Sequence, residues 1–345
     1  MVPMSGAPVL ESDQVSDSGT WFRVEVTSAA SAVRRAAERL AAQLNLGEQR
    51  TADLAIVAAE LASNLVKHAD EGLLLLRPVR ADEQAGVELI AIDTGPGMID
   101  MDRSATDGHS TAGTLGIGLG AIVRQASWFD AHSVPNRGTT LAVQIWPETP
   151  PKPFWAAGVN RPLAGEAVSG DGFASRIRDG RHQVLLCDGL GHGPLAAAAT
   201  AAALNAFRAA PTAPPAEVVE HLHRSIRHTR GAALAVAELD VPAAVVRFAG
   251  LGNIAGAVLE GEDRRGMVSL PGIAGHQRRT VREYQYPLRP GSTVVMHSDG
   301  VTDRWRPADY PGLLGRAPVL LAATVLRDAG IRRDDACVLA ARAPT

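Results

Sequence analysis

Between residues 147 and 153 the chain reads Pro147-Glu148-Thr149-Pro150-Pro151-Lys152-Pro153. Proline fixes φ and removes a backbone donor, so this density of prolines bars a helix or sheet interior and favours a stiff, extended connection. The chain therefore divides. A polar stretch over 1–19 is expected to be disordered, one unit covers 20–146, a linker covers 147–154, and a second unit covers 155–345. Each side has its own hydrophobic periodicity and is expected to fold on its own. With 345 residues, 46% of them hydrophobic, there is apolar material for a core in each.

Charge and composition exclude several classes. The formal net charge is -3 and no basic tract stands out, so nucleic acid is not an expected partner. No apolar run approaches the roughly 20 residues of a membrane helix. The N-terminus lacks the basic start and apolar core of a signal peptide. Cys187 and Cys337, the two cysteines, suit a reducing compartment. The expected location is the cytoplasm, away from any membrane. The oligomeric state stays open, a homodimer included.

In the first unit the periodicity predicts a strand over 21–26, helices over 29–44 and 48–68, and strands over 73–76 and 87–92. A short helix over 121–126 and a hairpin-like pair over 127–134 and 138–146 follow. Glu60, Asn64 and Lys67 fall at i, i+4 and i+7 and share one helix face. A carboxylate there can accept a proton and a carboxamide oxygen can hold a hard cation; alone, such a pair is usually solvated surface. The strand over 87–92 runs into Asp93-Thr94-Gly95-Pro96-Gly97-Met98. A strand-end carboxylate can accept a hydrogen bond from the exocyclic amine of a base, and glycines let backbone approach the ring. Gly113-Thr114-Leu115-Gly116-Ile117-Gly118-Leu119-Gly120 then opens a helix, where free N–H groups suit phosphates. Gly138-Thr139-Thr140 opens a strand. A dinucleotide-binding fold would put its glycines after the first strand of a βαβ unit, and this order differs.

The four pieces in this order resemble the GHKL ATPases, the family of histidine kinases, gyrase and Hsp90-like proteins. Asp107-Gly108-His109-Ser110-Thr111 ahead of the glycines is similar to the small anti-sigma and switch-kinase branch. The resemblance spans about residues 20–146 and implies a GHKL (Bergerat) α/β sandwich holding ATP and Mg²⁺ between helices and sheet. By position it implies Glu60 as general base, Asn64 as Mg²⁺ ligand and Asp93 as adenine anchor. Gly95 and Gly97 would shape the base pocket, Gly116, Gly118 and Gly120 the phosphate lid, and Thr140 the adenine side. No dimerising hairpin with a phosphoacceptor histidine accompanies them; His68 and His109 read as helix-end and loop residues.

The second unit is predicted to begin with strands around Val168 and over 184–187, then helices over 194–208 and 215–228. Strands over 233–239, 243–249, 254–260 and 293–297, a helix over 318–329 and a strand over 336–340 complete it. Acidic residues stand beside glycines at its strand ends: Ser169-Gly170-Asp171-Gly172, Cys187-Asp188-Gly189-Leu190-Gly191-His192-Gly193, Ser298-Asp299-Gly300 and Arg333-Asp334-Asp335. One Asp-Gly after a strand is usually a turn. Several carboxylates brought together repel unless protonated or neutralised by metal, and hard oxygen ligands suit Mg²⁺ or Mn²⁺.

Asp188-Gly-Leu-Gly-His-Gly before an alanine-rich helix resembles the PP2C-like phosphatases, particularly their bacterial sporulation and stress-response branch. Phe248-Ala249-Gly250-Leu251-Gly252-Asn253 and Ser298-Asp299-Gly300-Val301-Thr302-Asp303 fit that branch too. The resemblance covers about residues 155–343 and implies a β-sandwich flanked by helices, giving an α+β chain of two domains. By position Asp188 would bridge two metals and act in catalysis, with the Gly189 carbonyl beside it. Asp299 and Asp334 would complete one metal, Asp334 being preferred to Asp335, and Asp171 would act directly or through water. No phosphate-gripping arginine of larger relatives is recognisable. His192 reads equally as a phosphate contact and as a loop residue, and Cys187 as a buried strand cysteine. The resemblances together imply dephosphorylation of phosphoserine or phosphothreonine on a STAS-type anti-sigma-factor antagonist or related phosphoprotein. The first unit would phosphorylate such a partner or regulate the phosphatase; the alternative is an ATP-dependent binding switch without phosphotransfer.

Overall fold

The computed structural model describes residues 14–15, 19–81, 84–98, 115–152, 154–277 and 280–342. The motif at 107–111 and Gly113-Thr114 lie outside the described residues. Near the N-terminus β1 (Gln14–Val15) belongs to the second unit's sheet. The first unit is a five-stranded antiparallel sheet in the order β2-β3-β4-β6-β5, made of β2 (Thr20–Arg23), β3 (Leu73–Ala81), β4 (Gln84–Ile92), β5 (Trp128–Val134) and β6 (Gly138–Ile145). On one face lie α1 (Thr27–Gln43), α2 (Glu48–His68) and α3 (Leu115–Gln125).

α2 follows from its spacing. Leu54, Val57, Ala58, Leu61, Ala62 and Leu65 recur about one turn apart and are buried, while Lys67 and His68 sit in the last turn, where the helix dipole favours cations. The strands carry two apolar faces, because successive side chains point to opposite sides. Leu74, Leu76, Leu89, Ala91, Leu141 and Val143 pack with the helices. Leu75, Ile90, Ile92 and Ala142, the residues between, face the other way.

The second unit is a sandwich of two sheets. One runs β1-β8-β9-β10-β11-β14, with β15 paired to β11; the other runs β13-β12-β16-β17-β7. Their ranges, in chain order, are β7 (Ala156–Arg161), β8 (Asp171–Arg178), β9 (Arg181–Gly189), β10 (Ala232–Asp240), β11 (Val245–Leu251), β12 (Ala255–Glu260), β13 (Asp263–Met267), β14 (Ser269–Leu270), β15 (Tyr284–Pro287), β16 (Thr293–His297) and β17 (Ala336–Arg342). Phe173, Leu186, Phe248, Met296 and Leu339 fill the space between the sheets. α4 (Pro194–Ala209) and α5 (Pro215–Ser225) cover the outer face of the first.

The outer face of the other sheet is covered by α6 (Pro318–Ala329), and α6 is also what covers the free face of the first unit's sheet. Every residue of α6 except Arg327 and Asp328 is buried. One apolar cluster thus runs from Leu75, Ile90 and Ala142 through Leu320, Val325 and Leu326 to Val159 and Val338. Polar ties cross at the same place. Arg77, paired with Glu88 at 2.6 Å, donates to Gly158 O at 2.9 Å, and Trp21 Nε1 donates to Asn160 O at 2.9 Å.

Several features depart from the sequence expectations; the strand expected around Val168 begins instead at Asp171, as β8. Each unit has a core of its own, but a further apolar cluster is shared between them through α6. Gln14 and Val15, within the stretch expected to be disordered, pair with Ser175 and Ala174 and so cover an edge of β8. The helix expected over 121–126 begins at Leu115, so Gly116, Gly118 and Gly120 lie within α3; Gly118 is tolerated there because it lets α3 approach α2 closely. β7 and β13 to β15 went unread: the last three are short, and the β13 segment Asp263-Arg264-Arg265-Gly266-Met267 has no apolar alternation.

Candidate functional site

Two sites stand on opposite sides of α6. In the first, β4 delivers Asp93, and Gly95 N donates to Asp93 Oδ1 at 2.8 Å. Burial pushes the Asp93 carboxyl above its ordinary value, while the Gly95 amide and nearby Arg327 pull it down. Gly138, at φ +84, lies against the Asp93 main chain, and a Cβ there would overlap Asp93 O. Gly97, at φ +65, lies against Val134 O. Beside them opens a cavity of about 380 Å³ lined by Asn64, Asp93, Gly97, Met98, Leu119 and Thr139, among others. That size and mix of apolar walls with a few polar groups suits a small organic ligand.

Glu60 joins this group through α3. A Cβ on Gly118 would sit 2.9 Å from Glu60 Oε2 and 3.3 Å from Asn64 Oδ1. Gly118, Glu60 and Asn64 are therefore brought together, and Asn64 joins them to Asp93 and Gly97 across the cavity. Gly95 packs over His68 O at the end of α2. Thr140 requires a correction. Strand alternation turns it away from the cavity, and its Oγ1 lies 3.0 Å from the Thr324 hydroxyl, which donates to it, on α6. Thr139 lines the cavity instead. Asp93 N donates to Thr139 O at 3.0 Å, which sets Thr139 beside the Asp93 turn; no sequence signal separates the two threonines.

The second site gathers carboxylates at strand ends of the sandwich. Asp171 opens β8 opposite Asp188 near the end of β9, Asp299 follows β16, and Asp334 and Asp335 precede β17. Asp171 is buried and accepts from Ser298 Oγ at 2.6 Å. Burial and then the Asp188 charge hold its carboxyl well above the usual range. Burial, followed by Asp299, Asp334 and Asp335, pushes Asp188 up to about 7. Asp299 is raised by burial and then by Asp334. Asp335 is committed: its Oδ1 accepts from Leu163 N at 2.8 Å and its Oδ2 from Gly170 N at 3.0 Å. Among the described residues, Asp334 accepts only from Asp335 N, at 2.9 Å.

Gly189 lies over α4, where a Cβ would meet Ala196 O, so residue 189 brings the Asp188 turn against the helix. Among the described residues, no three His, Cys, Asp or Glu side chains close on one point as a finished metal shell. Their mutual charge effects nonetheless place these carboxylates within electrostatic range of one another, and that proximity is the feature a divalent cation fits. Three supporting residues had no role in the sequence reading. Asn253 Nδ2 donates to Asp299 Oδ2 at 2.6 Å, Ser298 holds Asp171, and Glu166 Oε1 lies 2.9 Å from His192 Nδ1. Asn253 and Ser298 stood in quoted motifs; Glu166 had no sequence signal. Cys187 is fully buried and burial pushes its thiol far up, as befits a strand cysteine.

The Histidine kinase-like ATPase domain family model matches residues 22–145, and the Stage II sporulation protein E (SpoIIE) family model matches residues 178–344. Serine/threonine-protein kinase RsbT of Bacillus subtilis (strain 168) is 32% identical over 115 residues, 33% of this chain and 86% of RsbT. A solved structure described as "The bacterial stressosome: a modular system that has been adapted to control secondary messenger signaling" superposes with TM-score 0.50 at 26% identity. It covers 54% of this chain and 98% of its own.

Proposed function

The chain belongs to the histidine kinase-like ATPase family through residues 22–145 and carries a SpoIIE domain, of the PP2C-like kind, over 178–344; from that premise we propose how its two sites work as a bacterial partner-switching regulator. The phosphatase domain removes phosphate from serine or threonine of a STAS-type anti-sigma-factor antagonist or a related phosphoprotein. The observation that carries this is the gathering of Asp171, Asp188, Asp299 and Asp334 at strand ends, where Asp171 stands opposite Asp188 and burial, followed by neighbouring carboxylates, holds Asp171, Asp188 and Asp299 above their ordinary values. Asp188, flanked by Asp171 and Asp299, and the Gly189 carbonyl would help hold Mg²⁺ or Mn²⁺ there. Asp299 and Asp334 would complete one ion, and Asp171, held by Ser298, would act directly or through water. Divalent cations there supply charge neutralisation and an acidified water for in-line attack on phosphorus. Asn253 orients Asp299, and His192, oriented by Glu166, stands on the same turn as Asp188.

The kinase-like domain binds ATP with Mg²⁺. Asp93 accepts from the adenine amine, Gly95 and Gly97 shape the base pocket, and Thr139 borders it. Asn64 would hold the Mg²⁺. Gly116, Gly118 and Gly120 bring α3 to the phosphates. Glu60, beside Gly118, takes the proton of the partner's hydroxyl as it attacks the γ-phosphate. The setting is the cytoplasm; no helix among the described residues is long and apolar enough to cross a membrane.

The deciding experiment incubates the full chain with candidate STAS proteins in both phosphorylation states, varying ATP and Mn²⁺ separately. Phosphate should leave the phosphorylated partner only with the divalent ion, and enter the unphosphorylated one only with ATP. Glu60→Gln should stop the transfer and keep ATP binding. Dephosphorylation that continued in excess chelator would overturn the phosphatase mechanism.

A further inference from the structure

α6 belongs by sequence to the phosphatase domain, yet it lies against the strands that carry the nucleotide site. Two of its side chains reach them. Thr324, fully buried, donates to the Thr140 hydroxyl at 3.0 Å, and Thr140 is paired in register with Ile92, next to Asp93. Arg327, whose side chain is 4% exposed, donates through Nη1 to Asp93 O at 3.2 Å. Its Nε and Nη2 face Asp328 on its own helix. Among the described residues, the Asp93 carbonyl is therefore the only hydrogen-bond partner of Arg327 outside α6. The other end of the link lies three residues further on. Thr302 N donates to Ala329 O at 2.9 Å, Ile331 N donates to Gly300 O at 2.7 Å, and Val301 bridges to Gly330. Gly300 and Val301 follow Asp299 directly.

We infer that Arg327 of the phosphatase domain is a positioning residue of the nucleotide site, and that the end of α6 is the element through which nucleotide occupancy and the Asp299 loop act on each other. The inference rests on the reading of Asp93 as part of an ATP site. The guanidinium is held at once by the Asp93 carbonyl and by the Asp328 carboxylate, so a shift of the Asp93 turn on binding adenine displaces Arg327. Ala329, Gly330 and Ile331 then carry that displacement to residues 300–302. By linkage, a divalent ion at the carboxylates alters ATP affinity by the same factor that ATP alters ion affinity.

The test uses the full chain in parent form and as Arg327→Ala, Arg327→Lys and Thr324→Val, the last two keeping charge and shape respectively. Calorimetry gives the Kd for ATP with Mg²⁺, and Mn²⁺-supported hydrolysis of an aryl phosphate gives KM and kcat with and without a non-hydrolysable ATP analogue. Arg327→Ala should weaken ATP by about tenfold, the worth of one charge-assisted hydrogen bond, with Arg327→Lys recovering part of it. The analogue should change KM or kcat in the parent and not in Arg327→Ala. If Arg327→Ala does not fold, Arg327→Lys and Thr324→Val should show the same direction in both readouts. Equal ATP affinity across all variants, or an unchanged response to the analogue, would overturn the inference while leaving the ATP site standing. A parent chain that bound no ATP would remove the ATP-site reading and this inference with it.

Discussion

Neighbouring aspartates here do different work. Asp335 spends both oxygens on main-chain N–H groups of residues 163 and 170, so it ties the loop before β8 to β17. Asp334 accepts through Oδ1 from Asp335 N, and after burial its charge does most to raise Asp299. Asp334→Asn should therefore lower metal-dependent hydrolysis with little change in unfolding midpoint, and Asp335→Asn should lower stability by about 1–3 kcal/mol, seen as a lower midpoint. Hydrolysis assays beside urea titrations separate the two, and a reversal would exchange their roles. Asp188→Asn should be the most damaging to activity, by at least about 10²-fold, the upper end for a mere supporting group of a metal. The same residue gives a pH signature. Its folded pKa, pushed up to about 7, exceeds the unfolded value of about 3.9, so the folded state holds the proton more tightly. Its contribution is full below about pH 4 and is lost as pH rises towards 7. In chelator, Asp188→Asn should thus gain stability relative to the parent between about pH 5 and pH 7.5. A constant difference would mean that Asp188 is not crowded by its neighbours. The strand-end carboxylates were legible because Asp-Gly after an apolar run is a local pattern. Thr139 against Thr140, and the service of Glu166, depend on which way a side chain turns and on residues distant in sequence, and no local pattern records that.

Most of the helices and central strands could be read from their periods, and the exceptions share a cause. β13 to β15 are edge or short strands whose residues are half exposed, so they lack a buried face to leave a pattern. α3 was read short because three glycines in alternate positions look like a loop; packing against α2 overrides that propensity. Gly118→Ala tests the packing. A Cβ would sit 2.9 Å from Glu60 Oε2, so the helix gains intrinsic propensity while the Glu60 carboxylate must move. Phosphotransfer to a partner should fall more than tenfold with the helix content by circular dichroism unchanged, and full transfer would show that Glu60 need not lie against α3. α6 carries a readable sign of its own. Pro318-Val-Leu-Leu-Ala-Ala-Thr-Val-Leu-Arg-Asp-Ala329 is apolar on every side until its last turn, and a helix apolar all round is buried all round. Leu73-Leu74-Leu75-Leu76 in β3 is the matching sign, since a strand with both faces covered reads as a continuous apolar run. Each implied a second layer over the same sheet, and the layer is α6.

At the scale of the molecule the proline segment marks where the two sheets part, but it does not mark where the packing stops. The succession is helices α1 to α3, the first sheet, α6, the five-stranded sheet, the seven-stranded sheet, then α4 and α5. Among the described residues α6 is the one α-helix between two sheets, so cutting at 147–153 leaves it with the second piece and strips the first piece of most of its cover. The fragment ending at Trp146 would then expose Leu75, Ile90, Ile92 and Ala142, all buried in the chain, together with the partly buried Leu73 and Trp128 beside them. Fully burying a large aliphatic side chain is worth about 1.5–3 kcal/mol, and a contiguous apolar face of this kind favours association. The separated first fragment should therefore be folded on its helical side yet self-associate, while a mixture of the two fragments should form a one-to-one complex that recovers nucleotide-responsive hydrolysis. Light scattering after size exclusion reads both results. A first fragment that stayed monomeric, with the ATP affinity of the whole chain, would show that α6 is a neighbour of that sheet and no part of its support.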